Sequence, residues 1–224
     1  MYKVRLAEKL PGSSIHISPE SMDEKVRNFH KKLRYSNQAL IANMDFINQI
    51  PALSMVVWFM AGLAKETKRS VDKTICFMRD YYRKLRRPNK NIIAYNELLH
   101  IDPGSLAFRF PDKFGYVLLH KSFIAYMQSL EMPTFKYQIN YRKKYFTQND
   151  MFHLFLYMHD KTNEIYYANN LIDKKLYDRI TLYNNLLRKF DPYYDKALQE
   201  RNVKLRNEKF RKIGALLWRQ LGNK

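Results

Sequence analysis

Pro51-Ala-Leu-Ser-Met-Val-Val-Trp-Phe-Met-Ala-Gly-Leu-Ala64 is the stretch whose reading decides the fold. It closes a run of 19 residues, Phe46 to Ala64, with no charged side chain. Two structures compete for it. A membrane-spanning helix needs about 20 predominantly apolar residues, and Lys65, Lys68 and Arg69 follow at once, as a positive flank would. Against that, Asn48, Gln49 and Pro51 interrupt the first third, and the fully apolar part is short. The expectation is a buried core helix, with Val57 and Trp58 packed inside the same body. A single span over residues 46–64 is the alternative.

Working outward, Val71, Ile75, Met78, Tyr82 and Leu85 recur at spacings of four, three, four and three. They predict a helix capped by Ser70 and ended by Arg86-Arg87-Pro88. Its other face carries Lys73, Arg79, Arg83, Arg86 and Arg87. Ile92 to His100 reads as a short helix stopped by Asp102-Pro103-Gly104, and Phe114 to Met132 as another, with Phe123, Ile124, Met127 and Leu130 on its apolar side. In Phe135–Arg142 the residues Phe135, Tyr137, Ile139 and Tyr141 alternate with Lys136, Gln138, Asn140 and Arg142, the pattern of a strand. Thr147 and Asp150 form a capping-box pair ahead of a helix bearing Met151, Phe155 and Met158. Glu164 to Ala168 reads as a second strand. Asn170 to Phe190 is helical. Asp191-Pro192 reads as a break and restart, leading into a helix from Pro192 to Leu221 with a polar middle and an apolar end at Phe210, Ile213, Leu217 and Trp218.

On the N-terminal side, residues 1–17 read as an extended arm turning at Pro11-Gly12. Ser18-Pro19-Glu20 then opens a helix with Met22, Val26, Phe29 and Leu33 inward and Arg27, Lys31, Lys32 and Arg34 outward. A further helix follows from Asn37 to Ile50. The fold class expected is therefore mainly α: an irregular helical domain with at most a small β element around residues 135–142, an extended N-terminal arm (1–17), a globular body (18–191) and a projecting basic C-terminal helix (192–224). Composition agrees. Gly and Pro together number 14 of 224 residues, about half the average share, too few turn formers for a many-stranded sandwich or barrel.

Charge points to the partner. Lys and Arg number 40 against 21 Asp and Glu, a formal net charge of +19. The cations cluster: ten with three acids between Lys65 and Lys90, and nine with three acids between Tyr193 and Lys224. Such self-repulsion implies an anionic partner. The residues expected to hold nucleic-acid phosphates are Lys68, Arg69, Arg79, Arg83, Arg86, Arg87, Arg142, Lys143, Lys144, Arg201, Lys204, Arg206, Lys209, Arg211 and Lys212. Tyr137, Tyr141, Tyr145 and Phe146, interleaved with cations, are candidates for stacking on unpaired bases. Phe210, Ile213, Leu217 and Trp218 are expected to dock on a neighbouring protein; the alternative is a bend near residue 207 that folds this end back onto the chain's own core.

Catalytic and metal signals are missing from the sequence. The six histidines never fall at i, i+4; Asp150 and His153 are one carboxylate and one imidazole; a single cysteine, Cys76, excludes a disulfide framework and a cysteine-based metal cluster. No enzyme, cofactor, metal or small-molecule substrate is expected. The expected function is a structural, RNA-binding subunit of a large ribonucleoprotein with protein neighbours. A composition rich in Lys, Asn, Tyr, Ile and Phe suggests an organellar, mitochondrial ribosome, with a cytoplasmic location as the fallback and secretion excluded for want of a signal sequence. The alternative is an accessory subunit of a respiratory-type membrane complex, anchored through 46–64.

Overall fold

The computed structural model describes residues 12–30, 35–50, 53–84 and 92–222. It is mainly helical, about 62%, and ends in a helix. The strands are distributed otherwise than the sequence pattern suggests. Strands β1 (Ser14–Glu20), β2 (Ser54–Ala61) and β3 (Ile92–Leu98) form a parallel sheet in the order β1-β2-β3. Helices α1 (Glu24–Phe29) and α2 (Asn37–Asn48) cross from β1 to β2, and α3 (Lys68–Lys84) crosses from β2 to β3.

Both segments at the heart of this sheet were expected to be helices. Val56-Val57-Trp58-Phe59 pairs β-branched with aromatic residues, which pack well on a pleated surface. A continuous apolar run is the signature of a parallel strand as much as of a buried helix, and periodicity does not separate them. Along β2, Met55, Val57, Phe59 and Ala61 are buried while Ser54, Val56, Trp58 and Met60 are half-buried. Residues 46–64 do not form the single helix considered for them: the segment contains the end of α2 and a sheet strand. Among the described residues no helix is long and apolar enough to cross a membrane.

The buried face of the sheet is covered by helices. Phe59 meets Phe77 of α3 edge-on at 6.0 Å, and the Asn96 amide reaches the Met78 sulfur of α3 at 3.5 Å and the Thr162 hydroxyl. Thr162 belongs to α7 (Gln148–Ala168), which precedes α8 (Lys174–Leu198) and α9 (Val203–Gly222); the short helices α4 (Leu106–Arg109), α5 (Phe123–Leu130) and α6 (Phe135–Gln138) and the antiparallel pair β4 (Tyr116–Leu118) and β5 (Tyr141–Lys143) lie between. The outer edge of β3 is closed at Ala94, whose N–H donates to the Tyr82 hydroxyl at 2.9 Å and whose carbonyl accepts from Tyr166.

Other local expectations are corrected for identifiable reasons. The arm is extended from Ser14, but as a strand of the sheet; residues 1–11 lie outside the described residues. The helix start moves from Ser18 to Asp23, whose carboxylate accepts the Lys25 N–H at 3.0 Å. Helix α3 opens at Lys68, where Thr67 and Ser70 exchange reciprocal N–H to hydroxyl bonds of 2.7 and 3.2 Å. The strand expected over 135–142 is α6 followed by β5: its alternation does not sort inside from outside, since Lys136 and Asn140 are as buried as Tyr137 and Ile139. Residues 164–168 are the last turn of α7, which begins with the expected Thr147–Asp150 capping box.

Pro192 does not restart a helix; it sits inside α8 on an exposed face. Asp191 faces the interior, where its carboxylate takes the Lys136 ammonium at 2.9 Å, and a tertiary ion pair replaces the anticipated cap. The break falls instead at 199–202. There the Asn202 side chain accepts the Leu205 N–H at 3.1 Å and caps α9. The last helix therefore does not extend α8 as one 30-residue rod. It folds back: Phe210 packs on Tyr194 at 6.0 Å, Ile213 and Leu217 are buried, and Lys189 reaches Gln220 at 3.4 Å.

Candidate functional site

The cations divide into structural and exposed groups. Lys143 is only 4% exposed and donates to the Glu66 carbonyl at 3.0 Å with its ammonium over the Phe146 ring at 3.5 Å. Burial pushes its pKa down to about 8, against the pull of Glu66 and Asp150. Arg142 is half-buried, turned back to the carbonyls of Lys144 (3.1 Å), Lys143 and Phe146 (3.4 Å each). Both side chains are thus engaged by the chain's own carbonyls. Arg27 is fully buried, donating to the carbonyls of Ser21 and Tyr35 and to Asn37, all at 2.9 Å.

Beneath Lys143 lies a polar centre at the carboxyl end of β2. Glu66 accepts the Gly62 N–H at 2.7 Å, Tyr141 donates to the Gly62 carbonyl at 3.1 Å, and the Tyr116 hydroxyl accepts the Ala64 N–H at 3.1 Å. Burial raises Glu66 to about 7, although Lys143 and the Gly62 and Leu63 N–H groups oppose it. Gly62 is obligatory here: φ is +88°, and a Cβ would stand 2.3 Å from the Tyr141 hydroxyl.

Along α3, Lys68, Arg69, Arg79 and Arg83 are exposed. Lys68 pairs with Asp72 at 3.1 Å, and Arg79 with Asp80 at 3.1 Å; Arg69, Arg83 and Lys84 have no carboxylate partner among the described residues. Arg86 and Arg87 lie outside the described residues.

Helix α9 is more sharply sorted. Phe210, Ile213 and Leu217, at spacings of three and four, face α8. On the opposite face, Lys204, Glu208, Arg211, Ala215 and Arg219 recur at four, three, four and four, with Lys212 beside them. Lys204, Arg211, Lys212 and Arg219 are exposed; Lys212 pairs with Glu208 at 2.8 Å, and the other three have no carboxylate partner among the described residues. Trp218 is 68% exposed and stands seven residues, two turns, from Arg211 on the margin of this face. Arg201 is exposed at the hairpin tip; Arg206 and Lys209 are half-buried, Lys209 on Glu200 at 2.9 Å.

The docking set is thus split. Ile213 and Leu217 are consumed by the chain's own hairpin and Phe210 is partly covered, leaving Trp218 outward. The larger exposed apolar surface is one the sequence pattern assigned to the core: Phe123 (64%), Ile124 (70%), Met127 and Leu130 of α5. Their helical spacing is the same whether the face meets a core or a partner, so periodicity carries no signal for the difference.

Two of the histidines share a cleft. A cleft of 480 Å³ beside the end of β3 brings His100 and His159 together with Asn96 and Asn184, and His159 Nδ1 lies 3.0 Å from the Asn184 amide nitrogen. Among the described residues no three His, Cys, Asp or Glu side chains are grouped to hold a metal ion. No protein-family model matches the chain, and no curated protein or solved structure is detectably similar to it.

Proposed function

We infer that the protein is a non-catalytic RNA-binding subunit of a large ribonucleoprotein, and that it grips RNA with the outward face of α9. The observation that carries this reading is the sorting of α9: apolar residues toward α8, and Lys204, Arg211, Lys212 and Arg219 with one acid and an exposed indole toward solvent. Cations held on a rigid helix neutralise phosphates, and an exposed aromatic ring beside them stacks on an unpaired base. Arg69, Arg83 and Lys84 of α3 supply a second cationic surface. The exposed apolar face of α5 gives such a subunit a surface for a protein neighbour, since patches of this kind mark interaction sites. The lysine- and asparagine-rich composition favours an organellar ribosome as the assembly.

Fluorescence anisotropy with a labelled single-stranded RNA, titrated at several salt concentrations, tests it. Combined Lys204→Glu, Arg211→Glu and Arg219→Glu should weaken binding and lower the log–log salt slope by about 2 units, roughly 0.7 per lost contact. These side chains are exposed, so the melting temperature should hold. An unchanged affinity and slope would overturn the reading.

A further inference from the structure

The two edges of the parallel sheet differ. At β3 the Ala94 N–H and carbonyl are taken by Tyr82 and Tyr166. At β1 the edge is open. The Ser54 N–H bonds the Ser13 carbonyl at 3.1 Å, and Ser14 is in register with Ser54 and His16 with Val56. This turns the backbone groups of Ser13, Ile15 and Ile17 toward β2 and those of Ser14, His16 and Ser18 away from it. Among the described residues nothing hydrogen-bonds these outward N–H and carbonyl groups. Such edges are normally blunted by a charge, a proline or a bulge. Residues 12–18 hold no charge, and Pro19 and the register shift between Ile17 and Glu20 lie beyond the open stretch. Ser14 and His16 are exposed, with the His16 Nδ1 accepting the Trp58 indole N–H at 3.4 Å. Ile15 and Ile17 share the covered face with Met55 and Val57, yet they are only half-buried where those two are 3% and 0% exposed.

The open stretch is Ser14-Ile15-His16-Ile17-Ser18, which reads the same in both directions. A strand of that kind is complementary to itself across a two-fold axis. We propose that the protein forms a homodimer by antiparallel pairing of β1 with β1 of a second copy, the axis passing through His16. Ser14 then lies opposite Ser18 of the second copy, Ile15 opposite Ile17, and His16 opposite His16. The outward groups exchange about six main-chain hydrogen bonds, two for each facing pair of this kind. The isoleucines meet as cross-strand pairs and complete each other's burial on the core side. Two features select a second copy as the occupant. Alternating main-chain donors and acceptors are met in full by a peptide strand, and the palindrome matches the chain's own. The net charge of +19 opposes association of like copies, but this edge carries none of it. An interface of one strand pair is small, so the dimer belongs to the weak, concentration-dependent class and forms where salt screens the net charge. It does not depend on RNA.

Sedimentation velocity of the full chain in moderate sodium chloride, from about 1 to about 100 μM, tests it across the range of weak association. The sedimenting species should grow toward two chains as concentration rises. His16→Pro removes an outward N–H and none of the bonds to β2, so it should abolish that growth and keep the melting temperature of the dilute protein. Cross-linking checks the register in a Cys76→Ser background, since Cys76 is exposed. His16→Cys sets two thiols across the axis with Cα atoms about 5.5 Å apart, within disulfide reach, and oxidation should give a covalent dimer. Ser14→Cys, which faces Ser18 of the second copy and not itself, should give none. If the proline unsettles the strand, the cysteine pair of variants decides alone. A chain that stays monomeric at every concentration would overturn the proposal. So would a dimer in which His16→Cys fails to cross-link.

Discussion

Glu66 shows how one residue can be bound tightly to the fold and still strain it. Its carboxylate is hydrogen-bonded at 2.7 Å to the N–H of a glycine that nothing larger can replace, yet burial holds its pKa near 7 rather than 4.5. The native state therefore binds a proton that the unfolded chain has released between these values. Its contribution is fully present below about pH 4.5 and is lost as pH rises through 7, a loss on the order of 3 kcal/mol. Lys143 has the opposite slope: lowered to about 8, it penalises the native state below that pH and stops doing so as pH rises toward 10.5. Chemical denaturation of the unaltered chain should show stability falling from pH 5 to pH 7. Glu66→Gln, neutral throughout and still able to accept the Gly62 N–H, should flatten that segment. An identical slope in the variant would show that other groups produce it. Lys136 presents a different solution to the same problem, meeting Asp191 at 2.9 Å and Asp195 at 3.0 Å so that its buried charge is fully compensated.

Among the elements, the hairpin of α8 and α9 decides what the end of the chain is for. Ile213 and Leu217 are 9% and 6% exposed and belong to the same core cluster as Phe190, Tyr194 and Ala197 of α8. Ile213→Ala should cost about 2–4 kcal/mol, the usual range for such truncations in a core, and a chain stopped after Lys209 should melt well below the full protein. A truncated chain with an unchanged melting temperature would mean that the contact contributes nothing to stability. The long helices were legible because caps and 3.6-residue periodicity agree in them: Thr147–Asp150 marks the start of α7, and the basic outward faces of α3 and α9 follow from spacing alone. The parallel sheet was not legible. Residues 55–61 are apolar on both faces, so no alternation exists to reveal a strand, and in Ile92–Leu98 the polar Asn96 and Glu97 are adjacent, which breaks alternation there. Lys143, expected to meet phosphate, is buried instead, because adjacency in sequence to Arg142 and Lys144 says nothing of which one the strand turns inward.

At the scale of the molecule, +19 is a burden the chain carries whenever it is alone. Its exposed ion pairs, such as Lys174 with Asp178 at 2.7 Å, are of the kind that contribute little. Net repulsion should then dominate, and the melting temperature should rise as sodium chloride increases from low to moderate concentration and screens it. A fall over that range would mean that the paired charges outweigh the net charge.

The separation of the sheet from one of its covering helices sets the timetable of synthesis. β3 ends at Leu98, but α7, whose Thr162 reaches Asn96 on the sheet's buried face, is not complete until Ala168. At about 5–20 residues per second, the interval is roughly 4–14 seconds. Through it the nascent chain holds three adhesive strands with an unfinished roof, long enough for a chaperone or another strand edge to find them. The order in which the gene spells these elements thus makes early life on the ribosome the most aggregation-prone stage of this protein.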